Sequence, residues 1–203
     1  MVKSPTIFLE GGGVSKDLQI TCRKGIRKLL ENCGYIGRLP RIKTCGSRND
    51  AFDDFKTQYK YSEDAYIALL VDSEHPVKDI DKTWDHLSER DGWDRPDDAA
   101  DDQVLLMTTC METWIAADPT ALQNYFDPKN KKLIDLRGLP KTNLESRDRH
   151  SVLDCLKHAT RNCKTVYAKG KTSFEVIGKV SPDILKEHLP SFKRMLSILD
   201  NKL

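Results

Sequence analysis

The run Ala65-Tyr-Ile-Ala-Leu-Leu-Val71 constrains the fold more than any other stretch of this chain. It is almost wholly apolar, lacks in–out alternation, and stops abruptly at Asp72-Ser73-Glu74. A strand with one wet face alternates, so an unbroken run of this kind suits a central parallel strand covered on both faces. Residues 6–10 (TIFLE) and 41–45 (RIKTC) read as two further strands, and residues 103–108 (QVLLMT) as a fourth. Ser15 can cap a helix reaching about Cys33, with Leu18, Cys22, Ile26, Leu29, Leu30 and Cys33 at helical spacing. A second helix opens at Gly46-Ser-Arg-Asn and carries Ala51, Phe52, Phe55 and Tyr59. Strand–helix–strand–helix–strand order with short connections predicts an α/β fold. Its sheet is mostly parallel and flanked by helices in a Rossmann-like arrangement.

Farther along, residues 86–90 read as a short helix, and DGWDRPDDAADD reads as a loop. Residues 110–118 and the segment from Pro119 read as helices, the latter with Pro in its first turn. Residues 127–141 are irregular and basic, and residues 146–160 and 181–199 read as helices. The expected organisation is an α/β core over residues 1–126. Residues 127–203 then form a basic loop and C-terminal helical extension packed on that core as one compact domain.

With 203 residues, 38% hydrophobic and 32% charged, the chain can bury a sizeable core. No apolar run reaches the ~20 residues of a membrane span. The opening MVKSPTIFLEGG is too short in its apolar part for a secretory leader, so a cytoplasmic protein is expected. Six cysteines without a CxxC pair argue against a zinc site and for buried single thiols. Charge is unevenly spread. Residues 72–102 carry twelve Asp/Glu against four Lys/Arg, whereas residues 145–179 carry eight Lys/Arg against four Asp/Glu. One region can hold cations and the other can meet a polyanion, although both also suit solvated faces.

In an open parallel sheet, functional groups gather beyond the carboxyl ends of the strands. Glu10 follows the first strand, Asp72 and Glu74 the third, and Glu112 starts the helix after the fourth. Each alone has an ordinary reading as a loop carboxylate, a strand terminator or part of a polar helix stripe. Together they can converge on one edge, where mutual repulsion calls for a cation. Mg2+ or Mn2+, as one or two ions, suits such oxygen ligands. Gly11, Gly12 and Gly13 give the backbone room to pass close to a ligand.

These residues resemble the Toprim fold, the metal-binding catalytic domain of topoisomerases, primases and related nucleases. Glu10-Gly11 resembles its first element, and Asp72-Ser73-Glu74 its acidic pair with Glu replacing the last Asp. The blocks LEGGG, TCGSRNDAFDDF, LLVDSE, CMETWIAAD and LKHATRNCKTVYAKGKTSFEVIG resemble a small prokaryotic Toprim-like family. Its members often neighbour ATPase genes in anti-phage islands. The resemblance implies a metal-dependent nuclease acting on DNA or RNA, with Glu10, Asp72 and Glu74 as metal ligands. Glu112 would hold a second metal or the water, and an ATPase would be the partner protein.

Ser47, Arg48 and Asn49 follow the second strand and can meet phosphate at a helix start, or serve as a cap with a surface Arg. Lys169 and Lys171 flank a glycine and can approach a phosphodiester backbone, Lys171 also neutralising transition-state charge; a solvated basic loop with Ser173 as a cap reads equally well. Arg161 and Lys164 extend the same patch. The Gly-Lys spacing of a phosphate-binding loop of the NTPase kind is absent. Trp84 and Trp93 can stack bases, whereas Trp114 reads as core. A non-catalytic nucleic-acid- or partner-binding subunit is the alternative to an enzyme. Phosphotransfer at Asp72 ranks third, because only one acid follows the first strand. Homo-oligomerisation stays open.

Overall fold

The computed structural model describes residues 4–62 and 65–203. The leader reading rests partly on Met1, Val2 and Lys3, which lie outside these residues. Four strands form one all-parallel sheet: β1 Thr6–Gly12, β2 Arg41–Gly46, β3 Ile67–Asp72 and β4 Val104–Met107, in the order β2-β1-β3-β4. Helices α1 Lys16–Leu30, α2 Arg48–Lys60 and α3 Thr83–Asp91 connect the strands. After β4 come α4 Met111–Ala116, α5 Pro119–Phe126, α6 Arg149–Thr160, α7 Lys171–Ile177, α8 Pro182–His188 and α9 Pro190–Lys202.

The pleat sorts each strand between two cores. Ile7 and Leu9 of β1, Ala68 and Leu70 of β3, and Leu105 and Met107 of β4 enter the larger core with α1 and α4–α9. Phe8, Ile67, Leu69, Val71, Val104 and Leu106 enter the smaller one with Phe52, Phe55, Trp84 and Trp93 of the α2–α3 side. Both faces are apolar, which is why the Ala65–Val71 run does not alternate. Each fully buried Leu or Ile contributes roughly 1.5–3 kcal/mol to this three-layer stack. The C-terminal helices share that core: α7 packs on α1, α6 on α4, and α9 on β4.

Three expectations are corrected. Residues 181–199 are not one helix, because Pro190 cannot continue the hydrogen-bond ladder and α8 ends at His188 before α9 begins. Residues 171–177 form α7 rather than a basic loop, with Phe174, Val176 and Ile177 buried. Trp84 and Trp93 are core residues, Trp93 stacked on Phe52 at 4.2 Å, and so are withdrawn from any base-stacking role. Trp114 is also core, edge-on to Phe192. Among the described residues, no helix is long and apolar enough to cross a membrane.

Candidate active site

The β1–α1 turn forms one wall of a cleft at the carboxyl edge of the sheet. Gly11, Gly12 and Gly13 all have positive φ. A Cβ on Gly12 would lie 2.5 Å from the Gln19 nitrogen, so only glycine lets the strand end lie this close to α1. Gln19 Nε2 donates to the Gly13 carbonyl at 2.7 Å, and Ser15 caps α1. The cleft, about 440 Å³, is lined by this turn together with Glu10, Asp72, Met111, Glu112, Lys169, Gly170 and Ser173.

Asp72 ends β3 on the face shared with Leu70, and its Oδ1 accepts the Met111 N–H at 2.9 Å, an otherwise unpaired donor at the start of α4. Burial raises the Asp72 carboxyl well above the usual carboxylate range, and Glu10 and Glu112 raise it further; Lys169 and the Met111 N–H pull the other way.

Glu112, in the first turn of α4, is 3% exposed. Its Oε1 accepts the hydroxyls of Tyr167 and Ser173, both at 3.2 Å, and its Oε2 lies 3.1 Å from Lys169 Nζ. Burial and Glu112 hold the Tyr167 phenol well above its ordinary pKa, so it remains a donor. Burial alone would lower the Lys169 pKa, but Glu112 and then Asp72 bring it above the ordinary value. Lys169 is therefore a fixed positive charge between two carboxylates. Cys22 and Cys110 lie beside the cleft. Burial, assisted by Asp72, pushes both thiols up to about 12, so neither supplies a thiolate nucleophile at neutral pH.

Glu10 lines the cleft and pairs with Arg48 Nη1 at 3.2 Å. Arg48 also donates to the Asp72 carbonyl, meets both Asp91 oxygens at 3.0 and 2.7 Å, and lies 4.9 Å from the Trp93 ring centroid. Its side chain is 12% exposed and engaged within the protein. Ser47 forms a capping box with Asp50, and Asn49 is exposed on the first turn of α2.

Glu74 lies outside the cleft. A left-handed backbone, φ 66°, turns the chain after Ser73, and the carboxylate pairs with Arg90 at 3.5 Å and with Arg149. Lys171 is exposed at the start of α7 and faces Glu175 at 3.8 Å. Arg161 pairs with Asp135 at 3.2 Å, and Lys164 is exposed. The structure thus brings Glu10, Asp72, Glu112 and Lys169 together, and leaves Glu74, Lys171, Arg161 and Lys164 apart from them. Sequence reasoning missed Tyr167 and Ser173 as the donors to Glu112, Met111 as the donor to Asp72, and Asp91 as the main partner of Arg48. Only the Tyr-x-Lys-Gly-Lys-x-Ser spacing hinted at the first pair.

Fold and site define an α/β protein with an acid-lined cleft at the carboxyl edge of a parallel sheet. The chain belongs to the family described as Domain of unknown function (DUF4276), whose model matches residues 16–200. Glu10 precedes the matched segment; Asp72, Glu112 and Lys169 lie within it. No curated protein and no solved structure gives a match.

Proposed function

We propose that this cleft is the active site of a metal-dependent phosphodiesterase of Toprim type, cleaving DNA or RNA. The observation that carries the reading is the convergence of three carboxylates, Glu10, Asp72 and Glu112, on one cleft, where they outnumber the single lysine. Such an excess of oxygen donors fits a hard divalent cation, Mg2+ or Mn2+. Among the described residues, no three His, Cys, Asp or Glu side chains form a ready-made ligand cage. A cation here therefore takes one or two of these carboxylates and completes its shell from water and substrate, as Mg2+ commonly does. When bound, it would supply Lewis-acid polarisation of a phosphoryl oxygen and an acidified water.

The chain's own residues do the rest. Asp72, fixed by the Met111 N–H, and Glu112, fixed by two hydroxyls, are preorganised ligands. Lys169 can leave Glu112 to meet a non-bridging phosphate oxygen, since half of its side chain is exposed. Glu10, 21% exposed at the cleft wall, is placed to accept a proton. The Toprim-like resemblance adds an ATPase partner, a role in anti-phage defence and a cytoplasmic setting to this proposal.

Incubation with labelled single- and double-stranded DNA and RNA tests it. Cleavage is expected with Mg2+ or Mn2+, and loss of cleavage with EDTA or in Asp72→Asn. A wild-type protein inert with every substrate, alone and with its ATPase, overturns it. That outcome would support a non-catalytic nucleic-acid- or partner-binding subunit. One observation favours this second reading: Glu10, Glu74 and Glu112 each already face a cation of the protein itself.

A further inference from the structure

A second groove, about 320 Å³, adjoins the cleft on the outer edge of the sheet. It is lined by Lys16, Gln19, Ile20 and Arg23 of α1 and by residues 41–44 of β2. Four of its lining residues are cationic (Lys16, Arg23, Arg41 and Lys43) and none is acidic. Lys43 is engaged by Asp54 at 2.9 Å. Lys16, Arg23 and Arg41 are exposed and have no ion-pair partner among the described residues. Surface cations elsewhere in this chain are frequently paired, as in Arg27–Glu31, Lys56–Asp53, Lys78–Glu89 and Arg161–Asp135. Three unpaired ones around one acid-free groove leave a local positive field unanswered by the protein.

The groove is also joined to the cleft. Ser15 lines the cleft and Lys16 lines the groove. Gln19, between them, donates to the Gly13 carbonyl at 2.7 Å while its own carbonyl accepts Thr44 Oγ1 at 3.3 Å. Lys16 and Arg23 are about 10 Å apart along α1, from 1.5 Å rise per residue. A repeating anion entering the cleft would therefore meet a positive charge at the rim and another farther down the same track. A single phosphate would use only one of them.

We propose that the α1–β2 groove is the track for the phosphodiester backbone of a nucleic-acid strand whose scissile end lies in the cleft. The choice of a nucleic acid rests on the reading of the cleft as a phosphodiester site. This assigns backbone binding to Lys16, Arg23 and Arg41, on the opposite side of α1 from Lys169 and α7.

Binding is read in EDTA, where cleavage is absent, by fluorescence anisotropy of a labelled single-stranded oligonucleotide with the full-length protein. The variants are Lys16→Glu/Arg23→Glu/Arg41→Glu, its milder triple-Gln counterpart, and Lys164→Glu/Lys171→Glu. All the altered side chains are exposed, and thermal melts confirm that each variant is folded. The groove triple variants are expected to weaken binding at least tenfold at low salt. They should also flatten the log K against log salt slope by about 2, near 0.7 per lost phosphate contact. Lys164→Glu/Lys171→Glu is expected to weaken binding less.

Groove variants that bind within twofold of wild type, or the reverse ranking, overturn the assignment and leave the nuclease reading standing. Wild-type binding to phosphatidylserine vesicles but not to the oligonucleotide overturns it in favour of a membrane surface. Groove-dependent binding by a protein that never cleaves supports the track and removes the nuclease reading.

Discussion

Lys169 Nζ lies 3.1 Å from Glu112 Oε2, and the same ammonium opposes the half-buried Asp72 carboxyl. One cation therefore balances two carboxylates carried on different elements, Glu112 lying 57 residues and Asp72 97 residues earlier in the chain. Lys169→Met leaves both acids without it. Part of the charge is screened because Lys169 is half exposed, so the expected loss in EDTA is roughly 1 kcal/mol. Mg2+ should restore more stability to the variant than to wild type, measured as a difference in Tm shift. Equal shifts would mean that Lys169 and the cation do not share a site.

Asp72 makes stability depend on pH. Its folded-state carboxyl is raised, so the folded protein binds this proton more tightly than the unfolded chain does. The contribution is fully present below the unfolded carboxylate pKa, about 3.9. It is lost as pH rises through the folded value. Asp72→Asn keeps an acceptor for the Met111 N–H and removes the titration. In EDTA it is expected to raise Tm at neutral pH by a few degrees, about 2–4 °C per kcal/mol for a chain of this size, with the gain shrinking toward acid pH. Thermal melts across pH check this; a variant less stable than wild type at neutral pH would refute it.

Tyr167 Oη and Ser173 Oγ each stand 3.2 Å from the same oxygen of Glu112, and Tyr167 Oη is 2.8 Å from Ser173 Oγ, so the Tyr167 proton is shared between the carboxylate and a serine that itself donates to Glu112. Tyr167→Phe and Ser173→Ala should each cost about 1–2 kcal/mol. The double variant should differ from their sum by 0.5 kcal/mol or more, because the three groups form one network. Urea unfolding of the four proteins measures the coupling, and strict additivity would contradict a shared network.

The glycine turn separates close packing from backbone freedom. Gly12→Ala would drive a Cβ into the backbone of α1, with Gln19 Cα 2.6 Å away, and should cost about 3 kcal/mol or more. Gly13→Ala, also at positive φ but with open space around it, should cost about 1 kcal/mol. Similar costs at the two positions would remove close packing as the reason for Gly12.

The sheet was legible because an apolar run without alternation has few other uses, and the four strands lie close to where those runs occur. Asp72 was legible for the same reason, because a strand's carboxyl end is set by where its apolar residues stop; Glu10 was placed after β1 by the same rule, but the glycines carry that strand on to Gly12. Glu74 was not, since the left-handed turn that carries it toward Arg90 and Arg149 occurs at a non-glycine residue and leaves no mark in the sequence. Arg48 was hidden differently. A helix-start arginine looks exposed until Asp91, far along the chain, draws it inward over Trp93. The support for Glu112 arrives from 55 and 61 residues downstream on an element read as a loop. The break at Pro190 was written in the chain, but the apolar spacing of Leu185, Leu189 and Phe192 masked it.

The most direct measurement is a crystal structure of the protein soaked in Mn2+, with anomalous scattering used to locate the ion. The account predicts a peak in the cleft at ligand distance from Asp72 and from Glu10 or Glu112, lost in Asp72→Asn. A peak at Glu74 alone, or a cleft without manganese at saturating concentration, would contradict it.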